Sequence, residues 1–77
     1  EKSKTAMDEI KVPQSAKVIG KKIVDANFPK EAIIAMIERW GNYLTPNGAT
    51  VIEAGDTLVV LSENEKGIES VYEWLEE

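Results

Sequence analysis

Cysteine and histidine are both absent from this chain. Without cysteine there is no disulfide staple and no thiolate chemistry. Without histidine the commonest general base is missing. With it go the Ser-His and Cys-His nucleophile pairs and every zinc site built on imidazole or thiolate. No loop carries the dense alternating carboxylates of a calcium site. Little remains for catalysis, and the expectation is a non-enzymatic domain. Long hydrophobic runs are missing too. The longest, Ala32–Ile37, is far shorter than a membrane span, so no direct membrane insertion is expected. Glu1–Thr5 is polar and no apolar signal segment follows, which suggests a piece cut from a longer chain.

Positive charge is scarce after residue 30. Residues 1–30 hold seven lysines against four acids, whereas residues 31–77 hold one arginine and one lysine against ten acids. The net charge is −5. Nucleic-acid binding is driven by phosphate neutralisation, so no nucleic-acid partner is expected. The acids read as a solvated face that aids solubility. The 77 residues allow one core. A chain this small usually needs a staple or a partner, and both covalent and zinc staples are excluded. A homodimer is therefore expected.

The pattern along the chain is that of an α+β domain: a small, mostly antiparallel sheet with a short helix after the first strand and an amphipathic C-terminal helix. Residues 1–7 are assigned to a flexible tail and residues 8–77 to the domain. Ile10 and Val12 alternate with Glu9 and Lys11 in a half-buried strand over Met7–Val12, stopped by Pro13. Val18, Ile19, Ile23 and Ala26 recur at helical steps, predicting a short helix at Gly20–Ala26 closed by Asn27 and Pro29. Glu31–Trp40 fits either a helix or a doubly apolar strand. Its isoleucines and the following Gly41-Asn42, read as a two-residue hairpin turn, favour the strand. In that register Trp40 and Tyr43 face each other across the turn. Pro46-Asn47-Gly48-Ala49 reads as a turn with Gly48 free to take positive φ, Val51–Glu53 as a short strand and Ala54–Thr57 as a second turn. Leu58–Leu61 reads as a central strand. Ser62 and Glu65 form a capping box, followed by a stripe of Ile68, Val71, Tyr72 and Leu75. Trp74 falls beside that stripe.

Four pieces in order now carry a resemblance. Val18-Ile19-Gly20-Lys21-Lys22-Ile23 is similar to a V-G-K-S-L stretch, and Phe28-Pro29 to L-P. Ala35-Met36-Ile37-Glu38-Arg39 is similar to A-I-x-R, and Pro46–Leu61 to P-x-G-x-T-x-L-x-x-G-D-x-L-x-V-L. Over about residues 8 to 62 the chain resembles the TrkA-C family, the C-terminal domains of regulator of potassium conductance proteins. The resemblance implies a dimerising regulatory domain on the cytoplasmic side of a potassium channel, a potassium uptake system or a cation/proton antiporter. The stretch N-G-x-T-V-I-E-A-G-D is closer to the antiporter copies. The resemblance also implies a small anionic ligand at the dimer interface, cyclic di-AMP or another nucleotide. In the cyclic-dinucleotide binders a basic residue at the start of the short helix and an asparagine near its end touch the ligand. Lys21 and Asn27 stand at such places. A histidine that contributes further along has no counterpart here.

Four residues are thus candidate ligand contacts. Lys21 and Lys22 are read as a phosphate grip aided by nearby helix N-terminal amides, or as two solvated lysines. Asn27 follows from the resemblance. Arg39, the sole arginine, either meets an anion or a partner's acid, or stacks on Trp40 or Tyr43, or pairs with a nearby glutamate. The expected function is ligand sensing and dimerisation for a membrane cation transport protein. A dimerisation or scaffold module without a ligand is the rival.

Overall fold

Leu58, Val59, Val60 and Leu61 are apolar on both faces of a strand, and that decides the architecture. A strand of this kind belongs in the middle of a sheet. The computed structural model describes residues 5–77, and there β4 (Thr57–Ser62) is flanked on both sides. The other elements are β1 (Ala6–Lys11), a 3-10 turn (Ile23–Asp25), β2 (Ala32–Arg39), β3 (Asn42–Leu44) and α1 (Glu65–Leu75). The four strands form one antiparallel sheet in the order β1-β4-β2-β3. This is the α+β arrangement expected.

One face of the sheet is the core face. Ile10, Leu58, Ile37 and Leu44 lie in one register row, with Val60 and Ile34 in the next. Across this face α1 packs against β1, β4 and β2 with Ile68, Val71, Trp74 and Leu75 buried. Val12, Ala16, Val18, Ala26 and Ile52 complete the core from the loops. Side chains such as Ile37, Leu58 and Val71 are fully buried. Each contributes about 1.5–3 kcal/mol by leaving water. The opposite face carries Met7, Leu61 and Ile33 in one row and Glu9, Val59 and Met36 in the next. Met7 and Ile33 are each 60% exposed, and no helix covers that face among the described residues.

Several expectations are corrected. Ala6 and Met7, assigned to the tail, pair with Ser62 and Leu61 in β1; residues 1–4 of that tail lie outside the described residues. The predicted helix at Gly20–Ala26 is only the 3-10 turn. Gly20 takes φ 89° and Lys22 is extended, and the backbone partners of this segment are on another loop. Val51 makes an isolated bridge to Lys22, not a strand.

The hairpin turn is Trp40-Gly41, one residue earlier than expected, with φ 55° and 80° as a type I′ turn requires. Arg39 pairs with Asn42 and Glu38 with Tyr43, so the Trp40–Tyr43 pair does not form. The apolar match decides: this register sets Leu44 opposite Ile37, where the expected one would set it opposite Arg39. The helix cap is Asn64, whose Oδ1 accepts from Gly67 N at 3.0 Å. Ser62 instead donates to Glu31 O at 2.7 Å, tying the end of β4 to the start of β2. On α1 the stripe is rotated: Trp74 is in the core and Tyr72 is outside, donating to Asp8 at 2.5 Å.

Candidate functional site

The candidate basic segment is held in the manner of a strand. Gly20 N donates to Ile52 O at 2.7 Å and Ile52 N to Lys21 O at 2.9 Å. Ile23 N donates to Thr50 O at 2.9 Å and Val24 N to Gly48 O at 3.0 Å. Residues 20–24 therefore run antiparallel to residues 48–52. Lys22 is extended, Lys21 N closes a turn onto Val18 O at 3.0 Å, and both lysines are exposed. The helix N-terminal amides expected beside them are not free, because Ile23 N and Val24 N already bond the opposite loop. Asn27 ends the segment in the left-handed region at φ 57°, as its cap reading predicts, and it is exposed.

The opposite loop is shaped by its own side chains. Asn47 Oδ1 accepts from Ala49 N at 2.8 Å, and Thr50 Oγ1 accepts from Asn47 N at 2.9 Å. Gly48 does not take the positive φ expected of it; the positive-φ glycines are Gly20, Gly41 and Gly55. A side chain at Gly48 would press on Val24 Cβ at 3.3 Å, so close approach explains this glycine.

Arg39 lies behind this segment. Its Nε donates to Asp56 Oδ1 at 2.9 Å and its Nη2 to Asp56 Oδ2 at 2.8 Å, a bidentate pair. Nη2 also donates to Val51 O at 2.8 Å, and Nη1 lies 3.3 Å from Glu53 Oε2. The hydrogen bonds that Arg39 donates to Asp56 raise its pKa further above its already high value, and the charges of Asp56 and Glu53 add to this. Arg39 is thus paired with acids, as one of its readings held. Asp56 is 1% exposed and also accepts from Glu53 N at 2.9 Å, closing the turn around Gly55 at φ 84°. Sequence reasoning saw the Asp56 turn bond and a glutamate partner for Arg39, but did not join Arg39 to Asp56. The signal was there: a lone arginine in an apolar strand needs a buried carboxylate. The bond to Val51 O links Arg39 to Lys22, because Val51 is the bridge partner of Lys22.

A second feature lies elsewhere. A depression of about 400 Å³ opens between Lys30–Ile33 and Leu61–Glu63. Ile33 and Leu61 give it an apolar side and Lys30 brings a cation. None of Lys21, Lys22, Asn27 or Arg39 lines it.

The TrkA-C domain model matches residues 7–76, nearly the whole chain. The chain belongs to the TrkA-C domain family. A Trk system potassium uptake protein TrkA homolog from Archaeoglobus fulgidus is 39% identical to it over 62 residues. That match covers 80% of this TrkA-C domain and 14% of the relative's length. Among solved structures, the RCK_C domain dimer of S. agalactiae BusR in complex with c-di-AMP is 27% identical, with a TM-score of 0.79. It aligns with 92% of this chain and 96% of that one. S. agalactiae BusR in complex with its busAB-promotor DNA is 26% identical with a TM-score of 0.77, covering 92% of this chain and 36% of that one.

Proposed function

We propose that this TrkA-C domain is a dimerising, ligand-sensing regulatory module of a membrane potassium or cation transport protein, working on its cytoplasmic side. One observation carries the ligand and the dimer: 92% of the chain matches a c-di-AMP-bound RCK_C dimer at 27% identity. The potassium link rests on the Archaeoglobus fulgidus relative. The ligand is a small dianionic nucleotide of the cyclic di-AMP class. Lys21 and Lys22 supply charge to its phosphates, and Asn27 supplies a polar side chain at the end of the same segment. Arg39 acts from behind, holding Val51 O and so the loop that pairs with Lys22. No histidine takes part. A ligand that favours one of two dimer arrangements shifts the population of the attached protein, and no chemistry on the ligand is needed.

Calorimetric titration with cyclic di-AMP, cyclic di-GMP and mononucleotides tests this. The expected result is binding of one dinucleotide, weakened at least tenfold by Lys21→Glu with Lys22→Glu. Unchanged affinity in that variant removes these residues from the site. The apolar-sided depression favours a second position for the same ligand, since such sites are concave and largely apolar. Loss of binding in Lys30→Glu alone would assign the ligand there. The attached protein has a rival as well, because a BusR chain is solved on promoter DNA. The acidic balance of this domain argues against a phosphate-backbone contact of its own.

A further inference from the structure

The turn opposite the two lysines is set up for a reaction of its own. Asn47 is followed by Gly48, whereas Asn27, Asn42 and Asn64 are followed by Phe28, Tyr43 and Glu65. Asn47 and Gly48 are both exposed. The turn holds three polar groups of Asn47. Its N donates to Thr50 Oγ1 at 2.9 Å, its O accepts from Thr50 N at 3.1 Å and its Oδ1 accepts from Ala49 N at 2.8 Å. The bond from Ala49 folds the side chain back along its own chain. Gly48 N, one residue on, donates to no group among the described residues. Gly48 has no side chain to screen that nitrogen. A held electrophile beside an unengaged nucleophile has already met much of the entropic cost of reacting. When a nitrogen adds to Asn47 Cγ, negative charge gathers on Oδ1. A backbone donor at 2.8 Å is placed to stabilise it. Asn64 Oδ1 also accepts from a backbone amide, but its next residue, Glu65, bears a side chain and is fixed at the start of α1.

We propose that Asn47 is a site of covalent self-modification, deamidation through a cyclic imide closed by Gly48 N. Hydroxide takes the Gly48 N proton, the nitrogen bonds to Asn47 Cγ, and the Cγ–Nδ2 bond breaks. Nδ2 leaves as ammonia with a proton from water. Water then adds to one carbonyl carbon of the imide, and the bond from that carbon to Gly48 N breaks as the nitrogen regains a proton. Attack at Cγ gives aspartate at position 47. Attack at the backbone carbonyl carbon gives the β-linked isomer. One amide and one water become one carboxylate and ammonia, and nothing is oxidised or reduced. The two products differ in their effect on the fold. Aspartate keeps the backbone, and its carboxylate can still accept from Ala49 N. The β-linked isomer lengthens the backbone by one carbon and moves the acceptor of Thr50 N off the main chain. Gly48 O and Thr50 O accept from Val24 N at 3.0 Å and Ile23 N at 2.9 Å, and both then lose register with the segment that carries Lys21 and Lys22. The modification stands apart from the proposed function. Only its last consequence, a loss of ligand affinity as the chain ages, rests on that reading.

The test incubates the folded chain, its Asn47→Ser variant and a synthetic peptide of residues 44–53 at mildly acidic and mildly alkaline pH. Peptide mapping by mass spectrometry follows aspartate and β-linked product at each asparagine. In the folded chain Asn47 is expected to convert at least as fast as in the peptide, faster at alkaline pH, and at least tenfold faster than Asn27, Asn42 and Asn64. Asn47→Ser should form no β-linked product at position 47. Slower conversion in the folded chain than in the peptide, or conversion no faster than at the other three asparagines, overturns the site. The purified β-linked chain is then compared with fresh chain. A lower melting temperature and at least tenfold weaker binding of cyclic di-AMP are expected. A β-linked chain that melts with the fresh one overturns the loss of register. A fresh chain that binds no dinucleotide overturns the ligand reading and leaves the modification standing.

Discussion

Gly67 sits in the first turn of α1, where glycine costs about 1 kcal/mol against alanine by propensity alone. The structure reverses the sign. A Cβ there would overlap the Ser62 hydroxyl and come within 2.7 Å of Glu31 O. Gly67→Ala is expected to destabilise by about 1–3 kcal/mol, as overpacking does. A raised urea midpoint would refute this. Asp56 is the other residue on which much depends. It is buried, it holds both Arg39 nitrogens and it caps the turn through Glu53 N. Asp56→Ala leaves a part-buried guanidinium with only the more distant Glu53 as its acid and removes the turn's cap, at a cost of about 2 kcal/mol. Urea denaturation measures it, and a loss under 1 kcal/mol would mean that Glu53 takes over the charge.

Elements were legible from the sequence where their apolar pattern and their backbone partners agreed. β4 and β2 are such cases, because their doubly apolar runs demand neighbours on both sides. The segment at Gly20–Ala26 was misread because its spacing is helical while its partners are Gly48–Ile52, almost thirty residues away and invisible to local rules. The hairpin slipped by one because Gly41 fits either turn position, and a tryptophan at positive φ is not what local preference selects. On α1 the choice between Tyr72 and Trp74 turned on reach. Trp74 Nε1 donates to Ala26 O at 2.7 Å and its ring meets Phe28 edge-on at 5.0 Å, contacts that only the assembled fold supplies. The displaced Tyr72 ties α1 to β1 through Asp8, and this bond raises its pKa above the usual 10.0. The bonded neutral hydroxyl therefore adds stability at lower pH. That contribution fades as pH rises from about 10 through the raised value. Tyr72→Phe is expected to show less alkaline loss of stability than the wild type, read as melting temperature against pH. Equal alkaline loss in both would remove the bond from the account. Of the candidate site, the sequence carried Asn27's left-handed cap and an acid partner for Arg39, but not the strand-like setting of Lys21 and Lys22.

For the whole molecule, size sets the terms. A 77-residue chain with no disulfide and an open apolar face should owe part of its stability to association. On the proposed function its melting temperature should then rise with protein concentration, and rise again with saturating cyclic di-AMP, since a partner or ligand that binds only the folded state stabilises it. Calorimetric scans over a hundredfold range of concentration check this. A concentration-independent melt would mean that the single sheet and α1 suffice.

The two tryptophans divide the molecule optically. Trp74 is enclosed against Phe28 while Trp40 is 89% exposed at the hairpin tip. Their emission should separate into a blue, quencher-resistant part and a red, easily quenched part. The first reports whether the core is intact. The second reports anything that approaches the hairpin. The unaltered chain thus carries its own paired probes, one for folding and one for its surroundings.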